Sequence, residues 1–151
     1  MIVARENREE GKIFEELFFK QAQRNGLLVM PNYLTCRYTY NGRTQILPGG
    51  LDFTLIKNGV VGFFDCKSFA DDHFTFSTLS EHQVKRAVLY NDNRVPAGFV
   101  VWFRKIDLVV FFSGHAIECK GPGTRFYTED GQTLGRFDNF DLKPILEVVT
   151  G

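Results

Sequence analysis

From about Arg5 to Arg24 the apolar residues Ile13, Phe14, Leu17, Phe18 and Ala22 recur at helical spacing, which predicts a first helix. Asn25-Gly26 ends it, since glycine closes a helix in the left-handed conformation without steric cost. Beyond it the pattern changes to short extended runs. Tyr33 to Tyr40 reads as a strand, followed by Leu51 to Ile56 and Val60 to Lys67 on either side of Asn58-Gly59. That dipeptide is the strongest short-range signal for a two-residue type I′ hairpin turn. Asp71-Asp72 marks a loop, and a second helix is predicted from about Ser80 to Tyr90. Ala97 to Phe103 and Ile106 to Phe112 are apolar, β-branched and aromatic, and read as two buried strands. After Gly121-Pro122-Gly123 the pattern predicts a small hairpin turning at Asp130-Gly131 and a closing helix from about Asp141. The order helix, three strands, helix, two strands predicts an α/β fold with a mixed central β-sheet flanked by helices. With no linker or internal repeat, residues 1–151 read as one domain, with a core of about 11–112 and a C-terminal extension of about 113–151.

Composition narrows this picture in three ways. Sixteen phenylalanines within 44% hydrophobic residues supply a large core, yet no run approaches the roughly 18–20 apolar residues of a membrane span. The N-terminus is charged from Arg5 and has no signal-peptide apolar region, so the expected location is cytoplasmic, with no membrane partner. The cysteines Cys36, Cys66 and Cys119 are odd in number and lack metal-type spacing, so they read as reduced thiols rather than zinc ligands. A net charge of zero argues mildly against a nucleic-acid partner. It still allows a basic face, because Arg37, Arg43, Arg104, Lys105, Lys120, Arg125 and Arg136 fall mostly at strand ends and in loops.

The hairpin carries the candidate chemistry. With Asn58-Gly59 as the turn, Lys57 pairs with Val60, Phe53 with Phe64, and Asp52 with Asp65. Lys67 shares the face of Asp65, and Cys66 points the other way. Directly paired carboxylates repel and weaken a sheet, so a cation between them is the natural reason for such a pair. Gly50 faces Lys67 in the same register, leaving room for a substrate backbone beside the amine. A lone Asp-x-Lys would read as a surface ion pair. The paired register, the adjacent Gly49-Gly50 and the long apolar strand favour a metal site instead. Mg²⁺ prefers carboxylate and carbonyl oxygens and retains water, so Asp52, Asp65 and the Cys66 carbonyl make a plausible set, with Lys67 orienting an attacking water or steadying transition-state charge.

Two further residues bear on the site. Glu15 lies at the edge of the apolar stripe of the first helix, whereas Glu16 lies on its polar side, so Glu15 is the preferred further acid. Ser80-x-x-Gln83 fits a capping box, with Leu79 and Val84 as its hydrophobic staple and Thr78-x-x-Glu81 as an alternative cap. Spacing alone favours the cap for Gln83 over contact with a water or phosphate. His82 reads as a surface residue, His73 and His115 as incidental, and Trp102 as core.

Gly11-x-x-x-Glu15, Asp52, Asp65-x-Lys67 and Gln83 together resemble the PD-(D/E)xK nuclease superfamily. Gly49-Gly50-Leu51-Asp52-Phe53, Phe64-Asp65-Cys66-Lys67-Ser68, His82-Gln83 and the strand Gly98-Phe99-Val100-Val101 are most similar to the RecU-type Holliday junction resolvases, with archaeal resolvases more distant. The resemblance implies a restriction-endonuclease-like αβββαβ core and a homodimer cutting a four-way DNA junction with Mg²⁺ or Mn²⁺. It implies that Asp52 and Asp65 are metal ligands, that Lys67 assists the water, that Glu15 completes the acidic cluster, and that Gln83 is a site residue. The chain departs from the pattern in using Asp65 where these resolvases more often carry glutamate. Its segment Tyr40 to Pro48 is also short for a RecU-type stalk. Two other readings fit the same residues: a repair or restriction-type nuclease of this superfamily, and a DNA-binding module with a vestigial site.

Overall fold

A computed structural model describes the backbone of residues 2–32, 37–40, 43–46 and 50–147, and the side chains of residues 9–32 and 50–147. In chain order the elements are α1 (Ile2–Arg24), β1 (Leu28–Pro31), β2 (Arg37–Tyr40), β3 (Arg43–Ile46), β4 (Phe53–Lys57), β5 (Val60–Phe69) and β6 (His73–Thr75). Then follow α2 (Glu81–Asp92), β7 (Ala97–Phe103), β8 (Leu108–Ser113), α3 (Gly114–Lys120), β9 (Arg125–Tyr127), β10 (Gln132–Arg136) and β11 (Asn139–Phe140). Seven strands form one sheet in the order β1-β4-β5-β7-β8-β10-β11. Among the described strands only β5 and β7 are parallel neighbours, and α2 makes the crossover such a pair requires.

The hairpin register is the predicted one, from Lys57 opposite Val60 to Phe53 opposite Phe64. Asn58 and Gly59 have φ of 51° and 80°, the two left-handed residues a type I′ turn demands. The ladder stops at Phe53, however. Asp52 sits in a bend one residue beyond the last pair, and Gly50 is not opposite Lys67 in any ladder. Gly49 lies outside the described residues.

Alternation along β5 divides the core. Phe64 and Cys66 face α1, packing with Phe14, Phe18, Ala22 and Leu55. The other face of the sheet meets α2 and α3, where Val84, Ala87 and Ile117 pack on Phe99, Val101 and Phe112. Around Phe74 the rings of Phe69, Phe103, Phe112 and Phe126 stack or meet edge-on at 4.9–6.0 Å. Burial of such rings contributes about 1.5–3 kcal/mol each, and this cluster anchors the chain just past Lys67.

Several sequence expectations are corrected. The first helix starts at Ile2, and its Ile13 is exposed rather than core. An unexpected strand, Leu28–Pro31, pairs with β4, whereas the strand expected over Tyr33–Tyr40 is found at Arg37–Tyr40. Of the latter, residues 33–36 lie outside the described residues, and Arg37–Tyr40 forms a separate hairpin with β3. Asp130-Gly131 does not turn a hairpin, because β9 pairs with β6 whereas β10 pairs with β8. The true C-terminal hairpin joins β10 to β11 with Arg136 opposite Asn139. The closing helix is a single 3₁₀ turn, Lys143–Leu146, whose Pro144 has no N–H to continue a ladder. The short strand β6 and helix α3 were not expected; Ser113 caps α3 by accepting a hydrogen bond from the Ala116 N–H at 3.1 Å. No described helix is long and apolar enough to cross a membrane.

Candidate active site

Strand β5 continues past its last partner on β4, so from Asp65 to Phe69 it is paired only with β7. The other edge of this stretch is where the acids gather. Asp65 is fully buried on the α2 face of the sheet. Its Oδ1 accepts a hydrogen bond from Gln83 Nε2 at 3.0 Å, and its Oδ2 lies 2.9 Å from Lys67 Nζ. The lysine contact is an ion pair, and Oδ2 is buried without a hydrogen-bond partner.

Asp52 reaches this carboxylate from the bend before β4. Burial first, then a hydrogen bond to Asp65 and the charges of Asp65 and Glu15, push its pKa up to about 8, against the opposing pull of Lys67. Near neutrality Asp52 therefore holds its proton beside the Asp65 carboxylate. Burial, followed by the Asp65 charge, also raises Glu15, while Lys67 and Lys12 oppose the shift. Glu15, Asp52, Asp65 and Lys67 are thus one electrostatic group, drawn from α1, the bend, and β5.

Asp52 owes its position to Asn32, a residue sequence reading passed over. Asn32 Nδ2 donates to the Leu51 carbonyl at 3.0 Å, and the Asn32 N–H donates to the Asp52 carbonyl at 2.6 Å. Its Oδ1 in turn accepts from the buried Thr54 hydroxyl at 3.0 Å. No motif marks an asparagine just after a short edge strand. The signal that existed was its tolerance of irregular backbone beside a predicted strand end.

Gln83 performs only half of a capping box. Its N–H approaches Ser80 Oγ at 3.5 Å, but its side chain goes to Asp65 rather than back to Ser80. Its Oε1 is buried with no hydrogen-bond partner. Cys66 turns its thiol to the α1 core, where burial and then the neighbouring Asp65 charge hold it protonated, well above the ordinary thiol range. His73 and His115 each meet an exposed acid. His73 Nδ1 meets Asp72 at 2.9 Å, and His115 Nε2 meets Asp92 at 2.8 Å, joining α3 to α2. Trp102 stacks on Phe137 with ring centroids 4.2 Å apart, on the packed face.

Among the described residues no three His, Cys, Asp or Glu side chains converge as a complete metal cage. The oxygens present suit a different kind of site. Asp52 holds a proton that a cation would displace, Asp65 Oδ2 has Lys67 as an ion-pair partner but no hydrogen bond, and Gln83 Oε1 is buried with no hydrogen-bond partner. A hard divalent cation held by one or two carboxylates and retaining its waters fits that set.

The sheet order, the parallel β5–β7 pair and the flanking helices constitute a restriction-endonuclease-like fold. No family model matches the sequence, and no curated protein matches it. Among solved structures, the chain is similar to Hjc of Archaeoglobus fulgidus, a Holliday junction resolvase from an archaeal hyperthermophile. The two share a TM-score of 0.58 over 82% of this chain and 95% of that one, at 12% identity. At that identity the likeness establishes the fold alone.

Proposed function

We propose that this protein is a metal-dependent endonuclease that resolves four-way DNA junctions by phosphodiester hydrolysis, acting in the cytoplasm as a homodimer. The carrying observation is the buried Asp65, held at once by Gln83 and Lys67 in one electrostatic group with Asp52 and Glu15. In this reading Asp52 and Asp65 hold Mg²⁺, or Mn²⁺ in its stead, with the Cys66 carbonyl and Glu15 completing the oxygen set. The ion, when bound, polarises the phosphate and makes water a competent nucleophile near neutral pH. Lys67 Nζ offsets the charge that develops on the phosphate as a P–O ester bond breaks. Gln83 fixes the orientation of Asp65, and its free Oε1 accepts a hydrogen bond from water beside the site. Residues 1–151 then serve as one nuclease domain. The likeness to a junction resolvase in fold supports the choice of substrate, and the RecU-type assignment within that group rests on the sequence motifs.

The test compares a four-way junction with linear duplex and flap DNA in Mg²⁺. Symmetric paired nicks confined to the junction support the proposal. Equal cutting of all three makes the protein a nuclease of another substrate, and DNA binding without any cutting makes the site vestigial.

A further inference from the structure

An open groove of about 420 Å³ runs alongside the acidic cluster, lined by Glu15, Glu16, Phe19, Lys20, Pro31 and Phe53. Its volume falls within the range of about 300–1,000 Å³ typical of small-molecule sites. The lining is largely apolar, and Phe19 is its more accessible ring. Phe53 is buried with its ring centroid 4.9 Å from that of Phe18, and the half-buried Phe19 and Pro31 complete it. The rim is charged, with Glu16 and Lys20 exposed. The groove joins the catalytic group directly, because Glu15 belongs to both and Phe53 follows Asp52 in the chain.

We propose that this groove receives a nucleobase unstacked from the DNA strand, next to the phosphate held at the acids. The inference rests on the nuclease reading above. Charge and shape select this occupant. The two carboxylates of Glu15 and Glu16 outnumber the one ammonium of Lys20, so the rim disfavours a sugar-phosphate backbone yet accepts hydrogen bonds from the exocyclic amino groups of adenine, cytosine and guanine. Aromatic floors suit bases of any sequence because every base has a π-face. A base inside a continuous duplex has both faces covered by its neighbours and cannot enter. A base at a branch point has a free face. The groove therefore favours branched over linear DNA without reading sequence.

The test is a double-mutant cycle between protein and DNA. Junction affinity is measured by fluorescence anisotropy in EDTA for wild type and Phe19→Leu, which keeps apolar bulk while removing the ring. Each is assayed on an intact junction and on junctions with single abasic sites scanned across the branch. At one position the wild type should lose about tenfold in affinity on removal of the base. Phe19→Leu should lose about as much on the intact junction and nothing further at that abasic position. Phe19→Tyr should behave as wild type. The proposal is overturned if no abasic position weakens the wild type, or if the Phe19→Leu and abasic losses simply add. Cutting in Mg²⁺ without base dependence would sink the groove while sparing the nuclease reading. Base-dependent binding without cutting would do the reverse.

Discussion

The proton held by Asp52 makes the stability of the ion-free protein fall as pH rises, which is unusual for a carboxylate. Asp52 has an ordinary pKa of 3.8 and is pushed up to about 8 in the fold. Between those values the folded chain holds a proton that the unfolded chain has released, so stability is full below about pH 4 and is lost up to about pH 8. The span of about four pH units at about 1.4 kcal/mol each sets a ceiling of about 5–6 kcal/mol. Because part of Asp52 remains in contact with water, the expected loss is about 2–3 kcal/mol. Asp52→Asn keeps a donor toward Asp65 but cannot titrate. Urea unfolding in EDTA from pH 5 to 8.5 should therefore show the wild type falling by about 2–3 kcal/mol more than the variant. The raised Glu15 contributes a slope of the same sign in both proteins, so the difference isolates Asp52. Saturating Mg²⁺ should restore the wild type at pH 8 and do little for Asp52→Asn. Parallel pH curves for the two proteins would refute the raised Asp52.

Three further substitutions address the same group. Gln83→Leu removes the donor to the buried Asp65 Oδ1 and should cost about 1–3 kcal/mol in urea unfolding, together with most of the cleavage rate; an unchanged rate in Mg²⁺ would return Gln83 to a capping role. Lys67→Met should abolish cutting in a single-turnover assay while leaving junction binding within a few-fold, and normal cutting would remove the lysine from the mechanism. Asn32→Ala frees the bend that carries Asp52 and should raise the Mg²⁺ concentration needed for half-maximal cutting by about tenfold, the size typical for loss of an outer-shell partner. An unshifted requirement would show that β4 alone holds the carboxylate.

What the sequence disclosed, and what it hid, follows from how local each signal is. Asn58-Gly59 sets both turn type and register within two residues, so the face shared by Asp65 and Lys67 was legible from alternation alone. Asp52 was assigned to a ladder pair it does not form, because nothing local announces that β4 ends at Phe53. The spacing of Ser80 and Gln83 serves a cap equally well. Only the packing of α2 over β5 turns the glutamine toward Asp65. β1 escaped notice because it is a four-residue edge strand whose Leu28 and Met30 are exposed, which leaves little contrast between its faces. The seven residues of α3 are too few for a helical period to emerge. Asp130-Gly131 is a strong turn signal, but a turn between two different sheets looks the same in sequence as one within a hairpin.

The Asn58-Gly59 turn lies at the opposite end of the hairpin from the acids, yet it acts as a parity switch for the chemistry. A strand has only two faces, and slipping its pairing register by one residue exchanges them along its entire length. Such a slip of β5 would turn Asp65 and Lys67 into the phenylalanine-rich layer under α1 and present Cys66 to Gln83 instead. No residue of the acidic cluster would have changed, and none of its chemistry would remain. By favouring one register, a two-residue turn helps hold the parity of a site at the far end of its strand.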